Sequence, residues 1–409
     1  MKNKKKIVSL INLFYIFLGI IWQPFQIYIL KVDGVGRTIL FLSIVALVLS
    51  FPDFYIRKRD FLKPAFLCWV LLLCYSMCNS FAKGFYYEEG TLLYLRANFL
   101  DTFILLIIMM LELNKNKRIG LYVIWIALGV YLLIGLPYFS ADLEGRTTVE
   151  GIKNLYPLHA VTMLFVSSLL FKEGQIKFWI FLVLTVGISA IIFLSGTRKA
   201  FGAEIIILLG VALNNGKKRS VKSWIKLLAM GVLLALGVKY AMEHTFVGER
   251  LSEDTDEVFY VDFVENQRVN DIINDALGDR AIQYEYGIEM FHEHFWTGIG
   301  LTNYIEKTYT DIRLHTEYIV QLCENGIIGF VLLILFYALL IIALIRNRKT
   351  IGVQTSNVTL FGLISVLFIS FTAWTYNMSY IMIFYAIFMM NAYFNPEKPN
   401  ISDENTYGG

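Results

Sequence analysis

The chain has 409 residues, of which 57% are hydrophobic, 15% aromatic and only 17% charged. Soluble domains carry about 45–50% apolar and about 25% charged residues, so this composition excludes an ordinary soluble enzyme. The net charge of +3 gives no reason to expect a nucleic-acid partner, and the information lies in how the charges are distributed.

The chain opens on Met1-Lys2-Asn3-Lys4-Lys5-Lys6, followed by an apolar run from Ile7 to Leu30. The run is long for a signal-peptide core and no small-x-small cleavage site follows it, so it reads as a retained first helix. A helix that crosses a bilayer needs about 20 mostly apolar residues. On that criterion spans are expected at 7–30, 37–55, 64–82, 96–113, 119–138, 156–171, 177–194, 200–213, 224–242, 327–345, 357–375 and 378–394. Cys68, Cys74 and Cys78 fall in the third span and, with Cys323, fit neither a disulfide framework nor a zinc pattern. Lys172-Glu173-Gly174-Gln175 separates the sixth and seventh spans, and the eighth is short enough to require tilt or local thinning.

With the N-terminus in the cytoplasm, the even-numbered connections fall inside. They hold Arg57-Lys58-Arg59, Lys115 with Lys117-Arg118, Lys172 with Lys177, Lys217-Lys218-Arg219, and Arg346 with Arg348-Lys349. The outer connections are poor in such residues, as the positive-inside rule requires. Both termini are therefore expected inside, with residues 1–394 forming one transmembrane domain and 395–409 a polar cytoplasmic tail. No internal repeat is visible, which argues against an inverted-repeat transporter.

The connection at about 243–314, between spans nine and ten, is long, acidic and external on this topology. From Gln267 to His294 its apolar residues, among them Ile272, Leu277, Ile282, Tyr286 and Met290, recur at helical spacing. That pattern predicts one or two amphipathic helices on the outer membrane surface.

Three polar constellations punctuate the outer face. Ser195-Gly196-Thr197-Arg198-Lys199 puts two cations at a helix start, where the dipole disfavours them. A bound phosphate would compensate, since the guanidinium fork matches phosphate oxygens, although a snorkelling interfacial arginine has the same pattern. A second group runs from Arg280 through Gly298-Ile299-Gly300-Leu301-Thr302-Asn303 to His315-Thr316-Glu317, Gln321 and Glu324-Asn325-Gly326. Glu317, Gln321 and Glu324 follow i, i+4, i+7 spacing and should share a helix face. The third group, Gly145-Arg146 before span six, reads as a plain loop or a further substrate contact. Arg96 and Asp101 read as a structural pair, with a substrate role for Arg96 as the alternative. His292-Glu293-His294 lacks the spacing and third ligand of a metal site, so no metal and no cofactor are expected.

Ser-Gly-Thr-Arg ending an apolar span, a long external loop, Gly-Ile-Gly-x-x-Asn, a histidine and Glu-x-Gly-x-x-Gly entering a helix together resemble the O-antigen ligase/polymerase superfamily of bacterial membrane glycosyltransferases. The resemblance covers about residues 145–345. It implies a fold of the glycosyltransferase C type, with many membrane helices and a catalytic cleft on the outer face of the cytoplasmic membrane; with the spans above, the expected fold is all-α and polytopic with about twelve transmembrane helices. It implies transfer of a glycan from undecaprenyl diphosphate to an acceptor sugar, without a metal or nucleotide sugar. Carried onto this chain, Arg198 and Arg280 take the diphosphate and His315 opens the motif before the re-entering helix. Lys199, Arg146, Gly298, Gly300, Asn303, Glu317 and Glu324 are candidate substrate-binding residues. Thr316-Glu317 after the histidine and Lys199 after the arginine depart from the common pattern and leave the substrate open.

Arg198 and Arg280 can neutralise the departing lipid diphosphate, and His315, with an ordinary pKa of about 6.5, is suited to take the acceptor's proton. The expected activity is a polymerase for capsule, exopolysaccharide or O-antigen. The expected partners are the lipid-linked oligosaccharide, the bilayer, a chain-length regulator and a flippase. The alternatives are a ligase that moves the finished glycan to another acceptor and, in a different class, a polysaccharide flippase or secondary transporter.

Overall fold

The computed structural model describes residues 2–31, 36–56, 62–84, 102–141, 147–149, 155–195, 197–213, 279–301, 303–304, 314, 316–371, 373 and 378–393. These residues form α1 (Lys2–Pro24), closed by a π-helical turn at Phe25–Leu30, α2 (Gly36–Ile56), α3 (Pro64–Lys83), α4 (Thr102–Lys115) and α5 (Lys117–Gly135). A short antiparallel hairpin, β1 (Phe139–Ala141) with β2 (Thr147–Val149), precedes α6 (Leu155–Lys172), α7 (Phe178–Leu194) and α8 (Arg198–Ala212). There follow α9 (Asp279–Glu293), α10 (Glu317–Arg346), α11 (Val353–Ser370) and α12 (Ser379–Tyr393).

Helices thus stand at eleven of the twelve expected spans, and six of them are long and apolar enough to cross a membrane: Lys6–Leu30, Pro64–Lys83, Lys117–Tyr138, Leu155–Lys172, Glu317–Arg346 and Val353–Ser370. The ninth expected span, 224–242, lies outside the described residues, as do most of the external loop and the tail 395–409.

Local signals account for the helix boundaries. Pro64 occupies the first turn of α3, where its missing N–H is not needed. The Asn116 side chain caps α5 by accepting from the Ile119 N–H at 3.1 Å. Gly174, in the left-handed region at φ 71°, ends α6, and the Gln175 N–H returns to the Leu170 carbonyl at 2.8 Å.

Burial sorts the helices into layers. Residues 104–113 of α4, 156–170 of α6 and 380–392 of α12 are buried without interruption. A helix that is apolar all round belongs in the middle of a bundle, and α12 packs against α4, α6, α10 and α11. The outer helices bury one stripe only. In α7 it is Phe181, Thr185, Ile188 and Ile192, while Trp179, Val183 and Val186 are exposed. Leu10, Phe41, Val48, Leu133, Val331 and Ile345 are exposed as well. So much large apolar surface is stable against lipid and not against water. Small residues let the helices approach: a Cβ at Gly202 would meet Phe368 at 2.4 Å, and one at Gly362 would meet Phe165 at 2.3 Å.

Polar contacts gather at two ends. At the end carrying the N-terminus, buried Glu112 accepts from Ser9 (2.5 Å), Asn12 (2.7 Å) and Lys115 (2.8 Å). Lys115 also pairs with Asp53 at 2.7 Å, and Lys117 with Glu173 at 2.5 Å. Asn347 donates to the Ala392 carbonyl and Asn357 to that of Leu213. These contacts, with the Ala65 N–H donating to the Tyr393 hydroxyl and Tyr122 to the Gln175 carbonyl, bring the starts of α1, α3, α5, α7 and α11 to the ends of α2, α4, α6, α8, α10 and α12. The other ends of these helices lie at the opposite end, so helices consecutive in the chain alternate in direction through α8 and again from α10 to α12. Leu213 and α9, which flank the ninth expected span, lie at opposite ends.

Candidate functional site

The opposite end holds three groups of functional interest. The first is the turn between α7 and α8. Ser195 is buried, its hydroxyl donating to the Ile192 carbonyl at 2.7 Å, and Thr197 occupies the N-cap of α8. Arg198 is the first residue of α8 and is exposed, and Lys199 beside it is half-buried. Below this turn the Ser189 hydroxyl of α7 donates to the fully buried Glu204 carboxyl of α8. That bond clamps the hairpin about 9 Å beneath Arg198, taking 1.5 Å of rise per residue.

The second group is the segment after α9, held between α3 and α10. Gly298 (φ 66°) and Gly300 (φ 90°) are in the left-handed region. The Ile299 N–H donates to the Cys323 carbonyl and the Gly300 N–H to that of Glu324, both at 2.9 Å. In return the Ile327 N–H donates to the Phe295 carbonyl at 2.8 Å. The interlock leaves no space for side chains. A Cβ on Gly298 would lie 2.4 Å from the Glu324 carbonyl carbon, and one on Gly326 2.5 Å from the Trp296 backbone. Gly326 itself breaks α10 at φ 62°, ψ −166°, which frees the carbonyls that the segment uses.

α3 closes the other side. The Asn79 amide donates to the Thr297 carbonyl at 2.6 Å and the Glu324 carbonyl at 3.0 Å. Ser80 accepts from the Leu301 N–H at 2.9 Å, and Tyr75 donates to the Asn325 carbonyl at 3.1 Å. Asn303 is buried and donates to the Ile299 carbonyl at 2.8 Å and the Gly84 carbonyl at 3.1 Å. Tyr304 sits beneath it, and burial, with Cys323 and Tyr286 nearby, pushes its hydroxyl up to about 12. It stays a neutral phenol at any working pH. The motif glycines and Asn303 therefore build the backbone of the site.

The third group is a buried ladder on α10. The Gln321 amide donates to the Glu317 carboxylate at 3.0 Å, and the Asn325 amide to the Gln321 carbonyl at 3.0 Å. The rungs are i, i+4, i+8, because that spacing stacks side chains along one face; Glu324, expected on this face, is buried beside it. Glu317 is fully buried in the first turn of α10, where the helix dipole favours a carboxylate. The hydroxyls of Tyr337, Tyr380 and Tyr385 lie within its electrostatic reach. Tyr337 and Tyr385 share a 2.8 Å hydrogen bond. Tyr380 packs against His159 of α6, whose ring stacks on Tyr131 at 3.9 Å. His159 Nδ1 lies 2.9 Å from the Leu155 carbonyl, which only accepts, so Nδ1 carries the hydrogen.

The last turn of α11 joins the first group to the third. Phe368 fills the space over Gly202, one turn from Arg198, while Leu367 accepts from the Tyr318 hydroxyl at 3.1 Å and Ser370 from Thr316 at 3.3 Å. α9 docks on the start of α10, Gly287 fitting against Ile319 and Leu314 and Met290 against Cys323. Arg280 is the second residue of α9. His315, Arg146, Arg96 and Asp101 lie outside the described residues.

Residues 180–334 match the family model described as O-antigen ligase, which supports the O-antigen ligase/polymerase superfamily. The matched stretch runs from α7 into α10 and takes in every candidate site residue except Arg146. A search of curated proteins returns no match.

Proposed function

We infer that the chain is a polysaccharide polymerase of the cytoplasmic membrane, transferring a growing glycan from undecaprenyl diphosphate to a lipid-linked repeat unit on the outer face. The observation that carries this reading is the family match over 180–334. The gathering of the Arg198 turn, the start of α9 and the Glu317 ladder at one end of the helical bundle supports it. The composition and the apolar helices agree with a multi-pass membrane protein. Ligase action on a different acceptor uses the same donor chemistry and is the second reading within the family.

The reaction needs few groups. The acceptor hydroxyl oxygen bonds to the anomeric carbon of the donor. The bond from that carbon to the diphosphate oxygen breaks and its electron pair leaves with the lipid diphosphate. Arg198, Arg280 and Lys199 are the cations assigned to the developing charge. His315 takes the acceptor proton, with Glu317 or Glu324 to orient it or to take over that role. Direct displacement inverts the anomeric centre, and no step in this scheme uses a metal.

The test is turnover of a lipid-linked oligosaccharide by the purified protein without nucleotide sugar. Arg198→Ala and His315→Ala are expected to stop elongation while leaving insertion and expression intact. Normal polymer length in both variants overturns the assignment.

A further inference from the structure

The segment that follows α9 presents two large exposed apolar side chains, whose rings pack on each other. Trp296 is 68% exposed and Phe295 42%. Both belong to the stretch locked onto the kink of α10: the Ile327 N–H donates to the Phe295 carbonyl at 2.8 Å, and Gly326 packs on the Trp296 backbone. Their height along the bundle is thereby fixed at the point where α10 bends. From that point α10 carries an exposed apolar stripe, Ile328, Val331, Leu335, Ile342 and Ile345. The stripe has helical period and faces away from α3 and α12, which is the surface a membrane helix turns to lipid. Phe295 and Trp296 sit at its upper edge. His292 and Glu293, only a few residues earlier, are exposed and polar. Aromatic side chains with a polar handle are favoured where acyl chains meet headgroups.

We propose that Phe295 and Trp296 insert into the headgroup–acyl boundary of the outer leaflet and moor the Gly298–Gly300 segment at the bilayer surface. The occupant is phospholipid, because the patch continues the lipid-facing stripe of α10 without a break. The mooring sets the height of the site at the level where a lipid-linked diphosphate resides.

Tryptophan fluorescence of the full-length protein in phosphatidylcholine vesicles tests this. The chain has 7 tryptophans, so the Trp296 signal is the difference between wild type and Trp296→Phe, a variant that keeps an aromatic side chain while removing the indole. Lipids brominated near the top of the acyl chain are expected to quench that difference several-fold more than aqueous iodide does. Trp179→Phe supplies the reference for a lipid-facing indole, Trp179 being exposed on α7. Quenching of the Trp296 component by iodide and not by brominated lipid places the patch in water and overturns the proposal. Resistance to both quenchers shows protein covering it and overturns the proposal equally. The measurement needs no turnover, so it stands apart from the proposed activity.

Discussion

Asn79 uses both hydrogens of its amide on backbone carbonyls, one from the segment after α9 and one from α10. No other side-chain type of that size donates twice from one nitrogen while remaining neutral. Removing it leaves the Thr297 carbonyl without this donor, at a cost of about 1–3 kcal/mol when buried, while the Glu324 carbonyl keeps the Gly300 N–H. Asn79→Ala is therefore expected to destabilise the protein by about 1–3 kcal/mol, read as a lower melting temperature in detergent. Asn79→Asp should be at least as damaging, because it sets carboxylate oxygens against two carbonyl oxygens. A stable Asn79→Asp protein would mean that Asn79 does not hold the segment. Glu317 allows the opposite kind of test. Glu317→Gln keeps an acceptor for the Gln321 amide and the same volume, so the melting temperature should stay near wild type. Elongation should fall by roughly tenfold or more if the carboxylate supports the proton transfer. An unchanged rate assigns Glu317 to the scaffold alone.

At the scale of elements, the site rests on two backbone locks. Gly298 and Gly326, both at positive φ, each face the main chain of the other's segment. An alanine there costs about 1–3 kcal/mol for the conformation, and the overlap with backbone atoms adds to it. Because both glycines serve one contact, Gly298→Ala and Gly326→Ala should combine less than additively. A double-mutant cycle on melting temperature that came out additive would show two independent defects. The α7–α8 hairpin depends on Glu204 in a gentler way: Glu204→Gln can still accept from Ser189 and should retain stability, whereas Glu204→Leu strands the hydroxyl and should lose about 1 kcal/mol. The sequence pattern made most of these helices legible, because apolar runs of membrane length are hard to mistake. It also showed both halves of the lock, Gly298-x-Gly300 and Glu324-x-Gly326, as separate motifs. Their pairing was not legible, since backbone-to-backbone contact leaves no spacing rule between segments. Asn79 and Ser80 were missed because a polar pair at the end of a span looks like any interfacial residue. Glu204 and His159 were missed because each is a lone polar group in an apolar helix, and only the fold shows what it faces.

The whole molecule turns on which end faces outward. Charge supplies the argument: the connections at the end carrying the N-terminus hold Lys115, Lys117, Lys172, Lys177, Arg346 and Arg348, while the opposite end holds Arg198, the α9–α10 segment and the Glu317 ladder. On the positive-inside rule the candidate site is expected outside, as the proposed chemistry requires. Lys177 and His292 are both exposed and lie at different ends, so single cysteines there report the orientation directly in a background with the four native cysteines replaced by alanine. An impermeant maleimide added to intact cells is expected to label His292→Cys and to reach Lys177→Cys only after permeabilisation. The reverse pattern would place the candidate site in the cytoplasm, within reach of nucleotide sugars, and would remove the reason for assigning Arg198 and Arg280 to a lipid diphosphate. The chemistry therefore depends on sidedness as much as on the residues, and this labelling settles the matter before any substrate is in hand.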